Sequence, residues 1–509
     1  MKKKIFLVML AFVALFAFAG CGKKSTKKKD RSLKESADAF FIKDGSNYAL
    51  FSKDGKQLTK FEYTYVGTIV NGAAIVEKED AKGIINSNGK MVVDFGKYKY
   101  ISSAAGLYKV TDQERNEYLL NAKGKKIADM KDKELLTYFT SGYYSILHDK
   151  AGKNYKVLDV DGDTIISFNE GKDDEPTVNS EGGYLSVHYD NKNYIIDLVS
   201  GKKFLEFESK EHFCINIVSK DGKNMTLNSC VKSYESQDKV KYRAIKDGKL
   251  YDLSDKCDKV RLYNDDEFVC EKDYKEYLLD SKFNLGIEIS DVSYQDNDHY
   301  AKAHNGSFEG IDFYEKDKVV KNVACRTMYD HKHVEAGLFV LSTYYSKPCG
   351  TESGTYEFYN TKGEKMFDKS FARAENFDRN SLAIVSEDKE NYYLIDTKGK
   401  KVSGDYDSFY ARNYYYETRK DNKEGALDTK GELIVEAKYT DIWEAEHDGE
   451  KYLIFNDNNK EYTLYSLDDK KEITKFDSKP TLDDNYISLT KNNKTEYYTY
   501  KGKLFYTAK

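Results

Sequence analysis

One short phrase recurs along almost the whole chain and constrains what the chain can fold into. It consists of an apolar strand end, an Asn or Asp, two small or polar residues, a Gly and a Lys or Glu, followed by apolar residues again. Asp and Asn open tight turns by hydrogen-bonding to nearby backbone, and Gly takes the positive φ that a hairpin loop requires. Each phrase therefore predicts a β-hairpin. The clearest copies are Leu50–Lys56, Ile84–Lys90, Leu119–Lys125, Phe358–Glu364, Leu394–Lys400 and Ala426–Glu432.

The phrase is repeated often enough to organise the entire chain. Weaker copies are centred on Gly162, Gly201, Gly248, Lys282, Asp317, Asp469 and Gly502, which brings the total to thirteen at intervals of 32 to 47 residues. The intervening runs, such as 381–385 and 392–395, are rich in Tyr and branched residues, as strands are. No segment shows a sustained helical stripe with caps. The sequence predicts an all-β repeat array with about three strands per unit.

The repeating unit resembles that of the WG-repeat family of bacterial proteins, which reads Trp-Gly, two apolar residues, Asp, two variable residues and Gly. The closest matches are 82–93 and 424–441, with Lys82 or Glu424 in place of the family's Trp, and the single Trp443 lies elsewhere in its unit. The resemblance implies propeller blades or stacked hairpins. Propellers close with about four to eight blades, so thirteen units favour two propeller-like modules, 39–290 and 291–509. A stacked β-hairpin solenoid is the alternative.

The first twenty residues have the form of an export signal. Three lysines precede an apolar run from Ile5 to Ala19, and small residues lead into Cys21. About 15 apolar residues are too few for a bilayer span, which needs roughly 20, so we expect cleavage. Small residues directly before a Cys resemble the lipobox of bacterial lipoproteins. The resemblance implies that Cys21 carries the lipid and that the protein is anchored at the extracytoplasmic face of the cell membrane.

Residues 21–38 are interpreted as a tether between this anchor and the folded body. Gly22–Glu35 contains seven basic and two acidic residues and cannot form a packed core. With the leader and that segment set aside, 71 basic and 84 acidic residues remain, a body charge of −13. Nucleic acid is therefore excluded as a partner, because phosphate binding needs a basic face.

Six cysteines follow the lipidation site: Cys214, Cys230, Cys257, Cys270, Cys325 and Cys349. An even number in an exported chain predicts disulfides. Cys214 and Cys230 are equidistant from Gly222, so a hairpin through that glycine would place them opposite each other. Buried free thiols are the alternative.

Two groups of polar residues are candidate metal sites. Zinc could take Cys325, His331, His333 and Cys349, with His299 and His304 upstream, but their spacing matches no finger or ribbon. Asp159, Asp161 and Asp163 could supply oxygens to calcium, although they fall on a repeat turn that needs Asp and Gly anyway. We therefore predict no metal and no cofactor.

Signatures of catalysis are missing from the sequence: it contains no His-Glu-x-x-His, phosphate loop, Gly-x-Ser-x-Gly or dinucleotide fingerprint. We expect a non-enzymatic surface lipoprotein whose repeat faces bind an envelope protein or a wall polymer. The alternative is a propeller carbohydrate enzyme, which requires carboxylates of different units to converge on a central channel.

Overall fold

The computed structural model describes residues 38–104, 106–136, 144–150, 154–169, 176–198, 200–230, 240–263, 265–304, 310–328, 333–343, 354–458 and 460–509. Within these ranges the chain forms thirteen antiparallel sheets, numbered here in chain order, and one short 3-10 helix, Glu335–Gly337. In every sheet consecutive strands are neighbours, so each sheet is a simple meander. The protein is all-β with the architecture of a β-propeller, as the repeats predict.

The strands of the first seven sheets have the following bounds. Sheet 1 has β1 (Ala39–Asp44) and β2 (Asn47–Ser52); sheet 2 has β3 (Tyr65–Val66), β4 (Ala73–Lys78), β5 (Ala81–Asn86) and β6 (Met91–Val93); sheet 3 has β7 (Tyr100–Ala104), β8 (Leu107–Thr111), β9 (Glu117–Leu120) and β10 (Lys126–Asp129); sheet 4 has β11 (Lys133–Leu136), β12 (Ser145–Asp149), β13 (Asn154–Leu158) and β14 (Thr164–Asn169); sheet 5 has β15 (Thr177–Glu181), β16 (Tyr184–Tyr189), β17 (Lys192–Asp197) and β18 (Lys202–Glu208); sheet 6 has β19 (Phe213–Val218), β20 (Met225–Ser229), β21 (Tyr242–Lys246) and β22 (Lys249–Asp252); sheet 7 has β23 (Lys259–Tyr263), β24 (Glu267–Lys272), β25 (Lys275–Leu279) and β26 (Leu285–Glu288).

The remaining six sheets continue the series. Sheet 8 has β27 (Val292–Tyr294), β28 (His299–Ala303), β29 (Gly310–Glu315) and β30 (Lys318–Ala324); sheet 9 has β31 (Arg326–Met328), β32 (Phe339–Thr343) and β33 (Tyr356–Tyr359); sheet 10 has β34 (Arg373–Ala374), β35 (Leu382–Ser386) and β36 (Tyr392–Asp396); sheet 11 has β37 (Ser408–Ala411), β38 (Tyr416–Lys420), β39 (Lys423–Leu427) and β40 (Leu433–Tyr439); sheet 12 has β41 (Asp441–His447), β42 (Glu450–Asp457), β43 (Glu461–Ser466) and β44 (Lys471–Phe476); sheet 13 has β45 (Thr481–Leu482), β46 (Ile487–Lys491), β47 (Lys494–Tyr498) and β48 (Leu504–Ala508).

In ten of the thirteen sheets the recurring phrase connects the last two strands, and in sheets 1, 9 and 10 it follows the last strand and is closed by a single β-bridge. In sheet 2 the Asn86 side-chain oxygen accepts hydrogen bonds from the backbone N–H groups of Asn88 and Lys90, each at 3.0 Å, and Gly89 has φ 79°. The first turn residue makes the same pair of bonds at Asn121, Asp159, Asp280, Asn360, Asp396 and Asp428. Ten phrase centres fall between the last two strands of a sheet and the other three directly after the last strand, so every sheet ends with the phrase and the repeat interpretation is confirmed.

Hydrophobic clusters join each sheet to the next. Ile84 of sheet 2, for example, is buried with Tyr108 and Val110 of sheet 3. Twelve such clusters connect sheets 1 to 13 in order, and a thirteenth joins the ends of the series: Phe40 and Phe51 of sheet 1 pack against Phe505 of sheet 13. The packing therefore runs in a closed cycle.

The turn glycines show the same closure. Gly399 has φ 77°, and a Cβ atom built on it would lie 2.7 Å from the ring of Phe367, which precedes it by one unit. Gly89 faces Leu58 of the preceding unit in the same way, at 3.1 Å. Gly55 of sheet 1 faces Phe505 of sheet 13. The turn glycine of sheet 1 therefore faces a side chain of sheet 13 in the same way that Gly89 and Gly399 face side chains of the unit before theirs.

The module boundary expected at residue 290 falls between sheets 7 and 8. Val269 and Leu278 on one side share a buried cluster with Val292 and Tyr294 on the other, so the packing there is of the same kind as elsewhere. The division into 39–290 and 291–509 stays a prediction.

Two disulfides are present in the described residues. Cys214 and Cys230 are joined across the hairpin of β19 and β20 with their Cα atoms 5.5 Å apart, and Cys257 is joined to Cys270 with Cα atoms 5.4 Å apart. Cys325 is also disulfide-bonded. The leader, Cys21 and the tether up to residue 37 lie outside the described residues, as does Cys349. Across the described ranges no helix is long and apolar enough to span a bilayer.

Candidate functional site

The residues considered for zinc do not come together in the described part of the chain. His299 Nδ1 lies 3.0 Å from an Asp296 carboxylate oxygen, and His304 Nδ1 lies 2.7 Å from an Asp312 carboxylate oxygen. His331, like Cys349, lies outside the described residues. The only described group with metal-ligand proximity is His212 with Cys214 and Cys230, whose sulfurs form a disulfide.

The three aspartates considered for calcium serve the repeat turn. One Asp159 carboxylate oxygen accepts hydrogen bonds from the backbone N–H groups of Asp161 at 3.0 Å and Asp163 at 2.9 Å. The repeat turns elsewhere in the chain make the same bonds without such an acidic loop, so the turn accounts for Asp159.

A cavity of about 850 Å³ gathers side chains from several sheets, and we call it the mouth cavity. Residues of sheets 7, 9, 10, 11 and 12 line it. Those of sheets 7, 9, 10 and 11 lie where the first strand turns into the second, and Glu444 of sheet 12 lies within β41. Its lining includes Tyr263, His333, Glu375, Arg379, Arg412 and Glu444. Its volume is within the range of pockets that hold small ligands or side chains of a partner, about 300–1,000 Å³.

Several charged groups of the wall are occupied within the protein. Arg412 Nε donates to a Glu417 carboxylate oxygen at 2.8 Å, and Arg379 donates to the carbonyl oxygen of Asn413. The Asp378 carboxylate accepts hydrogen bonds from the backbone N–H of Asn380 at 2.8 Å and from the Tyr416 hydroxyl. These hydrogen bonds fix the positions of Arg379, Arg412 and Asp378 in the wall of the cavity.

One carboxylate at the cavity is only partly satisfied in this way. Glu444 Oε1 accepts a hydrogen bond from the Asn413 side-chain amide at 2.6 Å, but its buried Oε2 atom has no hydrogen-bond partner. Glu375 also lines the cavity, and its side chain is exposed. A buried acceptor without a donor costs about 1–3 kcal/mol, and more when it is charged.

Glu267 adds a further carboxylate behind this wall. Its Oε2 atom is buried without a hydrogen-bond partner and lies 4.0 Å from Nε2 of His333, whose Nδ1 is 3.7 Å from Glu335. Burial, followed by repulsion from Asp296 and Glu335, raises the pKa of Glu267 to about 7. The raised pKa of Glu267 therefore reflects its burial first and the neighbouring carboxylates second.

The raised pKa of Glu267 predicts a pH-dependent stability. The unfolded side chain titrates near 4.5 and the native one near 7, so the native state keeps a proton that the unfolded state loses. The free energy of unfolding should therefore fall as pH rises through this window, by about 3 kcal/mol at most. In Glu267→Gln this decrease should be absent, so urea unfolding at pH 5, 6, 7 and 8 should show the variant gaining about 1–3 kcal/mol over wild type by pH 8.

The control for this measurement is Glu461→Gln, which removes an exposed carboxylate paired with Lys475. Its pH dependence should parallel that of wild type. The other charged groups that act on Glu267 or lie beside it are retained in both variants, and they are Asp266, Asp296, His333, Glu335 and Lys246. Equal pH slopes for Glu267→Gln and wild type would show that Glu267 does not titrate in this window.

Sequence reasoning named His333 for a different role and did not single out Glu267, Glu375 or Glu444. These residues follow no motif, because each comes from a different repeat. The available signal was their position: Glu267 and Glu375 lie just before or after the connection between the first and second strands, opposite the phrase in the repeat.

Comparison with known proteins supports the repeats and adds little else. The family model described as WG containing repeat matches residues 48–80 and 425–460, and the second segment overlaps the predicted match at 424–441. No curated protein matches the chain. Solved structures with similarity include a eukaryotic initiation factor (12% identity, 65% of this chain and 94% of that chain, TM-score 0.24) and the dihydro-heme d1 dehydrogenase NirN in complex with DHE (12%, 66% and 73%, TM-score 0.22). The chain thus contains WG-type β-repeats in these two segments.

Proposed function

We propose that the protein is a non-enzymatic scaffold, lipid-anchored at the extracytoplasmic face of the cell membrane, that binds a partner of the cell envelope in the mouth cavity. The observation that carries the proposal is the convergence of side chains from five sheets on one cavity. Repeats placed around a cycle present equivalent positions at a common opening, which is how such arrays build a binding surface. The form of residues 1–21 supports the membrane location.

The proposal is tested by filling the cavity. Ala411 lines the mouth cavity at the end of β37, and its side chain is exposed, so a tryptophan there can enter the opening. The body of the protein, immobilised and incubated with native envelope extract, should retain partners that Ala411→Trp fails to retain. The matched control is Ser102→Trp, an exposed position on the first strand of sheet 3 outside the cavity. Equal recovery by both variants would contradict binding at the mouth.

A carbohydrate-cleaving enzyme is the second candidate, and one observation favours it. Glu335, Glu375 and Glu444 come from three sheets and share the cavity, which is the convergence that a glycosidase requires. The carboxyl group with the pKa of a general acid, Glu267, is not among the residues that line it. Release of reducing ends from wall polysaccharide by wild type, and its loss in Glu444→Gln, would favour the enzyme over the scaffold.

A further inference from the structure

Sheet 1 is one strand short at its start. In each of the other twelve sheets three strands precede the recurring phrase, whereas in sheet 1 the described residues place only β1 and β2 before it. These two strands match the second and third strands of sheet 5, since each pair consists of two six-residue strands joined by a two-residue turn. The strand that sheet 1 lacks in the described residues is therefore the first one.

The edge of β1 that a first strand would cover is unpaired in the described part of the chain. Tyr48 and Leu50 of β2 form backbone hydrogen bonds on the side away from β1, to the segment that follows the phrase. Directly opposite residues of an antiparallel pair either bond to each other or both point away. Lys43 and Phe41, which lie opposite Tyr48 and Leu50, therefore direct their backbone N–H and C=O groups to the free edge of β1, where another strand can pair.

The hydrophobic cluster that joins sheets 13 and 1 lacks a contribution that the other twelve clusters have. Ile101 of β7 is 5% exposed in the cluster of sheets 2 and 3, and Val178 of β15 is 9% exposed in that of sheets 4 and 5. Each of the other ten first strands likewise packs a side chain against the preceding sheet. The cluster of sheets 13 and 1 includes Phe40 and Ile42 of β1, but within the described residues nothing that precedes β1.

The sequence before β1 has an apolar residue at the matching distance. Ile101 lies six residues before the first residue of β8, and Val178 lies six residues before the first residue of β16. Six residues before β1 is Leu33, which lies outside the described residues. In sheets 3 and 5 a two-residue turn joins the first two strands and sets Ile101 and Val178 opposite buried valines. The same turn before β1 would set Leu33 opposite Ile42, which is 1% exposed.

We propose that residues 32–36 of this chain bind along the free edge of β1 as the first strand of sheet 1, with Leu33 completing the cluster of sheets 13 and 1. The segment is connected to Asp38 at the end of that edge, so a two-residue turn brings it into place, as between β15 and β16. The tether expected at 21–38 then ends at residue 31. Its residues 22–31 span at most about 35 Å between the lipid and the body.

The start of β1 lies on the same face of the protein as the mouth cavity. The backbone N–H of Lys53 donates to the Asp38 carbonyl oxygen at 3.0 Å, and Lys53 shares a cavity of about 410 Å³ with His447, next to the connection between β41 and β42. Tyr414, in the connection between β37 and β38 at the mouth, donates to Glu446 near the same end of β41.

The added strand reverses the face from which the chain leaves the body. A strand antiparallel to β1 carries the chain from Asp38 to the end of β1 beside Ser46, on the face opposite the mouth cavity. In a protein anchored through Cys21, the mouth cavity then opens away from the membrane. This orientation rests on the proposed function, whereas the pairing of residues 32–36 with β1 does not.

The pairing is tested by a disulfide placed across it in the full-length chain. The register of sheet 5, applied to sheet 1, sets Ser32 opposite Lys43, and residues so paired are close enough for a disulfide. Peptide mapping without reduction should recover Ser32→Cys/Lys43→Cys linked. The control, Ser32→Cys/Lys53→Cys, uses an exposed lysine of the mouth face and should be recovered unlinked. Absence of the first disulfide, or formation of the second in its place, would overturn the inference.

Hydrogen exchange examines the same edge without added cysteines. In full-length wild type the amides of Phe41 and Lys43 should be protected, and in Leu33→Asp they should exchange at least about tenfold faster. The amide of Ile42, which bonds to β2, should stay protected in both, and Leu33→Ile should restore the edge. Rapid exchange at the edge in wild type would overturn the inference. Protection that appears only after addition of envelope extract would also overturn it, because a strand of a partner would then occupy the edge.

The orientation is measured on the full-length lipidated protein in vesicles whose lipid head groups carry a spin label. A fluorophore on Ser46→Cys, in the exposed turn between β1 and β2, should be quenched more strongly than one on Ala411→Cys at the mouth. Equal quenching, or stronger quenching at Ala411→Cys, would overturn the orientation. A protein without a lipid would contradict the proposed anchoring and leave the pairing with β1 to be decided by the disulfide and by hydrogen exchange.

Discussion

Replacement of Gly399 by valine is expected to lower the free energy of unfolding by about 2–6 kcal/mol. The backbone there has φ 77°, and holding a branched residue in that region costs about 1–3 kcal/mol. The new Cβ atom would also lie 2.7 Å from the ring of Phe367, and overpacking of this kind costs about 1–3 kcal/mol more. Gly431→Val should cost less, because the nearest atom, Val402 Cγ2, is 3.2 Å away.

Two controls separate these contributions. Gly449 has φ 79° with nothing within 4 Å of its Cβ position, so Gly449→Val should show only the backbone strain. Lys400→Ala, next to Gly399 and on the exposed side of the turn, should cost almost nothing. Hydrogen exchange on Gly399→Val should lose protection in sheets 9 to 11 and keep it before residue 250, because each sheet is stabilised mainly by its neighbours. An even loss along the body would mean that the sheets unfold as one unit.

Cys21→Ala is expected to shift the protein from the membrane fraction to the medium or leave it unprocessed. Cys21 is the one residue at the end of the apolar leader that can accept a lipid. Two or three acyl chains hold a protein firmly on a bilayer and the tether alone does not, so the effect should be close to complete. Fractionation followed by immunoblotting measures it, and Cys214→Ser, which changes a cysteine of the body, is the control.

Incorporation of labelled palmitate gives the complementary measurement. Wild type and Cys214→Ser should both incorporate the label and Cys21→Ala should not. Label in Cys21→Ala would show that the lipid is attached elsewhere, and an unlabelled wild type found in the medium would show that the leader is a signal for secretion only.

The sheets could be predicted from the sequence because the residues that determine each turn lie close together in the chain. An Asn or Asp such as Asn86 and a Gly such as Gly89 lie within four residues of each other, and their hydrogen bonds and φ angle are determined there. The number of units could be predicted for the same reason, because each turn can be recognised from its own residues. Closure could not be predicted, since it depends on the fit of Phe505 to Gly55 and of the Tyr506 hydroxyl to Asp44, residues that lie more than 400 positions apart.

The mouth cavity could not be predicted from the sequence, for a related reason. His333, Glu375 and Glu444 occupy three different repeats, and no spacing between them is constrained by the chain. In its own repeat each is an ordinary polar side chain, and His333 and Glu375 lie next to strand ends whereas Glu444 lies within β41. Only the cyclic arrangement of the sheets places these side chains around one opening.

The contact between sheets 1 and 13 also limits how a chain of this kind can change in length. An open stack can gain or lose a terminal repeat by making or breaking a single interface. Here deletion of the last repeat would expose two apolar faces, one of them that of Phe40 and Phe51, and an added repeat would have to separate two sheets that already pack together. Duplication or loss of one unit therefore alters the curvature at every other unit. We expect related proteins to keep the same number of repeats. The residues that line the mouth cavity can differ between them without affecting closure.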